Sequence, residues 1–497
     1  MSRIQKTLEK MFDRHRIVFW YDAKRELRKE YEELDLPDVE KIEILNNEFG
    51  IKHRILREEP DTRFLLYHEG PQPDDLDNWL LDVLLAHGEL RTDQAAVWLG
   101  ELGLGPEYSE IVEEHLEFFQ SDERRKVLAN IVDKEDSPVL LRMKLLAVCV
   151  NGEPRIDDIL ENLLMELSDQ EDEDFGLIRQ CSLEGFLFQR MEKAYGYQSD
   201  SPSIKDFAIQ LFKSCYAMGI GEAGQLNSDA LIFLKRWKDS RKYGNSFETL
   251  SREYETLLNI EEDLGARDYR DLIDMDLFRL IEQRIITGLI AEIEARTITA
   301  GDCTLIVRQR RQSHWFDEFS DLYKATENAA RFFQILDTLD LSLQSVSDGF
   351  NRYRTTWFKL DQVYRKFIFH RRHSGQTTLL ERLSTSIENH YNNSFLLPMN
   401  NHWQTQIDAI TKWEIPGVES QTNFYQKWIR PFPKKNNKVF VIISDGLRYE
   451  IADELMKRIR QEDRFDAKLE TMLSTLPSYT QLGMAALLPN KTISISE

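Results

Sequence analysis

The stretch KVFVIISDGLRYEIADEL, Lys438 to Leu455, decides how the C-terminal part of the chain folds. Val439 to Ser444 is apolar on both faces, the pattern of a central strand in a parallel sheet covered by helices. Asp445 follows at the carboxyl end of that predicted strand, where open α/β sheets place their ligand crevices. A carboxylate there suits a hard divalent cation, and it suits a helix N-cap equally well. Gly446 permits a tight turn. Leu447, Ile451, Leu455 and Ile459 recur every four residues and predict one packing face of a helix.

A second strand, turn and helix follow. LETMLST (Leu469 to Thr475) predicts a strand, LPSYT a turn and QLGMAALL a short helix. Thr480 falls where the turn enters the helix. Backbone N–H groups and a partial positive charge gather there, and they favour a phosphate or a developing alkoxide. An ordinary N-cap threonine explains the same position. Ser474, Thr475 and Ser478 are competing hydroxyls.

Upstream, IRPFPKKNNK (Ile429 to Lys438) carries two prolines and three lysines and predicts a hinge. No proline occurs between Pro202 and Pro398, so long helices are allowed. In FRLIEQRIITGLIAEIEA, Phe278, Ile281, Ile285 and Leu289 mark a helical stripe that Ile286, Ile290 and Ile293 widen. GPQPDDLD (Gly70 to Asp77) is an earlier boundary, followed by the helical pattern NWLLDVLLAHGEL. Before it, RIVFWYD, VEKIEILN and TRFLLYHEG read as strands around the helix former AKRELRKEYEEL, which predicts a small parallel sheet. No GxxxxGK[ST] or GxGxxG accompanies those strands, so nucleotide binding has no support there.

The 497 residues are 41% apolar and 11% aromatic, a globular composition. The net charge of −22 opposes a general nucleic-acid coat. Cys149, Cys181, Cys215 and Cys303 form no CxxC pair and read as buried hydrophobes in a reducing compartment. No apolar run reaches the roughly 20 residues of a membrane span. The charged N-terminus MSRIQKTLEKMFDRHR lacks a signal-peptide core, which predicts a cytoplasmic protein. The acidic run Glu166 to Asp174 reads as a solvated loop. The basic stretches RQRRQSHW and RKFIFHRRH read as ion-paired helix surface or as a phosphate or acidic-partner patch. His370 and His373 share a helix face, but no carboxylate nearby in the sequence completes a metal site.

VIISDGLRYEIADEL followed by STLPSYTQLGMAALLP resembles the opening of a PglZ domain, a branch of the alkaline phosphatase superfamily. With RIVFWYD and the helical middle, the chain resembles the PglZ proteins of type 1 BREX bacteriophage-defence systems; motif-level specificity is confined to the C-terminal part. The resemblance implies an α+β multidomain protein, with a small N-terminal α/β domain (1–72), a large helical region (73–430) and the start of an alkaline-phosphatase-like α/β domain (437–497). It implies that Asp445 is a metal ligand and that Thr480 supplies a metal-bound nucleophilic hydroxyl. Arg448 is a candidate phosphate contact, or a helix-surface ion pair. The cofactors implied are two divalent ions, zinc first, and the activity a metal-dependent phosphohydrolase, either a phosphatase or a phosphodiesterase acting on nucleic acid. The partners implied are other BREX proteins, with a small BrxB-like protein preferred, then the methyltransferase, and DNA. Superfamily members carry further Asp and His ligands after the nucleophile. Here all ten histidines lie at or before His402, and 17 residues follow Thr480. The expectation is therefore an incomplete site on part of a longer polypeptide, with partner docking as this part's own activity. The alternative is a non-catalytic scaffold that assembles a defence complex.

Overall fold

The computed structural model describes residues 3–12, 15–23, 25, 27–90, 94–432 and 438–494. The chain divides into two compact units, one of residues 1–215 and 224–249, the other of residues 216–223 and 250–497.

The first unit opens with a four-stranded sheet of β1 (Ile17–Tyr21), β2 (Val39–Glu43), β3 (Arg63–His68) and β4 (Gly88–Leu90), in the order β2-β3-β1-β4. Every pairing is parallel. Alternation divides β1 between two cores. Val18 and Trp20 join Leu65, Tyr67 and Leu90 under the helices Arg3–Phe12 and Arg28–Glu33. Ile17 and Phe19 join Phe64 and Leu66 under Glu48–His53 and Leu81–Ala86. A parallel strand buried on both faces has this composition because crossover helices cover both sides. Lys41 donates to the carbonyls of Tyr31, Glu32 and Leu34 at the end of the Arg28–Glu33 helix, where carbonyls lack intrahelical partners.

Two stretches that read as helix are helical over only part of their length. Within AKRELRKEYEEL the helix spans Arg28–Glu33, and Lys24 and Glu26 lie outside the described residues. In NWLLDVLLAHGEL the helix stops at Ala86 and Gly88–Leu90 becomes β4. Without it β1 would have an unpaired edge, and tertiary pairing outweighs local helix preference. The acidic run Glu166 to Asp174 departs from a solvated loop at both ends, where Glu166 lies in the helix Ile156–Ser168 and Glu173 and Asp174 open the helix Glu173–Gln180. Glu166 is buried, and its carboxylate accepts from the N–H groups of Asp174 and Phe175 at 2.5 and 3.1 Å, capping the helix Glu173–Gln180.

The second unit is built on α1 (Arg279–Ala295), α2 (Ala300–Arg310), α3 (Phe316–Thr338) and α4 (Phe358–His373). The predicted stripe of α1 is its core face, with Ile281, Ile285, Ile286, Leu289, Ile290 and Ile293 all buried. Each contributes about 1.5–3 kcal/mol of apolar burial, opposed by the ordering of the chain. Within this core, Arg310 of RQRRQSHW pairs with Glu282, and both side chains are almost wholly buried. Arg310 also donates to the carbonyls of Ile273 and Met275, and Tyr323 and Ser313 donate to Glu282. Burial and the Glu282 charge together push the Tyr323 phenol up. All four cysteines are free and buried. Among the described residues, no helix is long and apolar enough to cross a membrane.

Glu282→Ala would leave the Arg310 charge buried without its counterion. The second unit should then lose about 3–5 kcal/mol, read as an earlier urea transition; an unchanged midpoint would refute the structural role. In the first unit, His115 is buried, its Nδ1–H facing the Cys181 carbonyl at 3.0 Å and its Nε2 accepting from Arg142. Burial holds its pKa below the ordinary value. The unfolded chain therefore takes up the proton first as pH falls, so this stability is present above about pH 6.5 and declines below it. The loss in melting temperature between about pH 7.5 and 5.5 should be smaller in His115→Gln than in the native chain.

Candidate active site

The chain from Lys438 to Ser444 forms no regular element, and no strand among the described residues pairs with it. Phe440 and Ile442 are 85% and 93% exposed, and Val441 and Ile443 about half so. The predicted central strand is thus absent as a paired element. Apolar composition favours a buried strand only where neighbours satisfy its backbone and cover its faces. Asp445 ends the segment, and Gly446 turns the chain at a φ of 72°, a conformation that glycine adopts without strain. The helix α5 (Tyr449–Gln461) follows. Its buried residues are Glu450 and Asp453, whereas Leu455 of the predicted packing face is exposed.

The second strand is shorter than predicted. β6 (Met472–Leu473) pairs in parallel with β5 (Glu419–Ser420), and the rest of LETMLST is irregular. The helix α6 (Thr480–Leu487) begins at Thr480. The Thr480 hydroxyl donates to Asp445 Oδ2 at 3.2 Å, joining residues 35 apart in the sequence. Both line an open pocket of about 480 Å³ with Val441, Ile443, Ser478 and Met484. The arrangement sets a carboxylate and a hydroxyl at a helix start, where backbone N–H groups remain open to an anion.

These residues supply one carboxylate and several hydroxyls. Among the described residues, no group of three or more His, Cys, Asp or Glu side chains is placed to hold a metal ion. A two-ion centre needs several converging ligands for each ion, so the donor set on its own does not fit one.

Arg448 faces the helical scaffold. Its guanidinium lies 3.5 Å from Asp361 and 3.5 Å from Glu450. Asp361 is buried and accepts from Tyr353 and Tyr391, each at 2.6 Å. The Tyr391 hydrogen bond leads the groups that raise the Arg448 pKa, against burial. Beside it, Arg365 of α4 pairs with Glu450 at 3.2 Å and Glu454 at 2.7 Å, and Gln362 donates to the Glu450 carbonyl. Much of RKFIFHRRH is therefore ion-paired surface. His370 meets Asp321 at 2.7 Å, a carboxylate too distant in sequence to be foreseen, while His373 stacks on Phe369. Residues 433–437 of the predicted hinge lie outside the described residues.

Residues 424–497 match the family model of the BREX system PglZ alkaline phosphatase-like domain. Over 98% of its length the chain is 30% identical to the alkaline phosphatase-like protein BrxZ of Escherichia coli O9:H4 (strain HS), covering 60% of that protein. It is 28% identical over 97% of its length to the alkaline phosphatase-like protein PglZ of Bacillus cereus (strain H3081.97), covering 58% of it. The chain is thus similar to these BREX proteins over nearly its whole length, and it spans about three-fifths of theirs. No solved structure matches it.

Arg365→Ala removes the cation that faces buried Glu450. Amide exchange across Tyr449–Gln461 should then quicken by roughly tenfold or more, as the loss of a charged hydrogen bond of about 1.5–3 kcal/mol requires. Unchanged exchange would mean that α5 is held by other contacts.

Proposed function

We propose that the chain supplies the nucleophile corner of a metal-dependent phosphoric-ester hydrolase, a phosphatase or a nucleic-acid phosphodiesterase, acting in BREX defence. The observation that carries this reading is the 3.2 Å contact between Thr480 Oγ1 and Asp445 Oδ2 at an open pocket. Thr480 is the nucleophile and Asp445 the first ligand of a divalent ion, zinc by preference. The described residues do not supply the remaining ligands of such a centre. Arg448 serves the scaffold, given its contacts with Asp361 and Glu450.

Residues 1–72, 73–430 and 437–497 are the proposed domains, the first carried on to Leu90 by β4, which pairs with β1. The first two together are far larger than a nucleophile corner requires, which supports a docking role for a BREX partner, a small BrxB-like protein before the methyltransferase or DNA. The setting proposed is cytoplasmic.

The test uses the full-length polypeptide with zinc or manganese and bis-p-nitrophenyl phosphate or plasmid DNA. Thr480→Ala and Asp445→Asn should each lower kcat by at least about 10²-fold, the scale of losing a nucleophile or its electrostatic support. Full activity in Thr480→Ala would sink the assignment.

A further inference from the structure

The turn that carries Thr480 is held largely by residues preceding the part of the chain that matches the family domain. Trp413 Nε1 donates to the Ser474 carbonyl at 2.7 Å. β5 pairs with β6 immediately before the turn. Leu473 packs with Val346 and Ile415 in a small buried cluster that also gathers Trp403, Trp413 and Val418. One side chain then spans the turn itself. Gln421 Oε1 accepts from the Thr475 N–H at 3.1 Å and lies 3.4 Å from the Thr475 hydroxyl, while Gln421 Nε2 donates to the Gly483 carbonyl at 3.2 Å.

Thr475 is where the chain leaves β6, and Gly483 is in the first turn of α6. The Gln421 amide thus ties the entry of the turn to its exit, with Thr480 between them. A side-chain amide offers an acceptor and a donor on one planar group. A carboxylate keeps the acceptor for Thr475 but turns a lone pair toward the Gly483 carbonyl. Leucine offers neither bond.

We infer that Gln421 is a positioning residue for Thr480, holding the turn from Thr475 to Gly483 so that the Thr480 hydroxyl stays within reach of Asp445. The inference rests on the nucleophile reading of Thr480. It also extends the working site upstream of the matched domain, to a segment whose sequence carries no catalytic signature. A displacement of about 1 Å in a reacting group costs on the order of 10²-fold in rate, so a staple of two hydrogen bonds on a surface turn acts on turnover more than on substrate binding.

The experiment compares the full-length native polypeptide with Gln421→Leu, Gln421→Glu and Thr480→Ala, measuring kcat and KM on bis-p-nitrophenyl phosphate together with amide exchange at Thr475. Gln421→Leu should lower kcat by about 10–10²-fold with KM within about twofold, and Thr475 should exchange faster. Gln421→Glu should recover relative to native protein as pH falls, because the protonated carboxyl regains a donor for the Gly483 carbonyl; a purely structural defect has no reason to follow that titration. If Gln421→Leu does not fold, the pH-dependent ratio for Gln421→Glu decides alone. Inactive Thr480→Ala beside native kcat in both Gln421 variants overturns the positioning role and leaves the hydrolase reading standing. Full activity in Thr480→Ala overturns both.

Discussion

The candidate site depends on a charged clasp. Glu450 is fully buried, and burying a carboxylate is costly unless it is paired and hydrogen-bonded. Arg365 supplies the principal one, and Arg448 lies on the other side. The clasp fixes the start of α5 against α4, so the Asp445–Gly446 turn leaves from an anchored point. Breaking one partner of a buried pair costs far more than the pair contributes over an apolar substitute. The arrangement therefore specifies position more than it adds stability.

Two apolar segments in this chain end on aspartate, and their surroundings give the two residues different work. Asp22 closes β1, is buried, and accepts from the Tyr67 hydroxyl at 2.9 Å and the Leu27 N–H at 2.8 Å. Asp445 is exposed and faces the Thr480 hydroxyl beside a pocket. The same residue type at the same kind of position is a satisfied internal acceptor in one case and an accessible oxygen donor in the other.

Local pattern made much of the architecture legible. The stripe of α1 appears in the fold as periodicity predicts, and the three stretches read as strands before residue 70 form a parallel sheet. Chain order and the family resemblance together single out Asp445 and Thr480, and the fold brings their side chains within 3.2 Å. What remained hidden depended on partners distant in sequence. β4 lies inside a helix-like run because β1 has an edge to fill. Asp321 answers His370 across 49 positions, and Gln421 reaches Thr475 across 54. Glu166 reads as one charge among many until the fold turns it toward two backbone N–H groups.

The bare segment from Phe440 to Ile443 has a consequence for handling this polypeptide. It combines four consecutive apolar side chains, all substantially exposed, with a backbone that no strand among the described residues pairs. Such a segment is a template for intermolecular strand pairing. The net charge of −22 opposes that association by mutual repulsion. Added salt screens the repulsion while leaving the sticky segment unchanged, so colloidal behaviour is governed by ionic strength as much as by concentration.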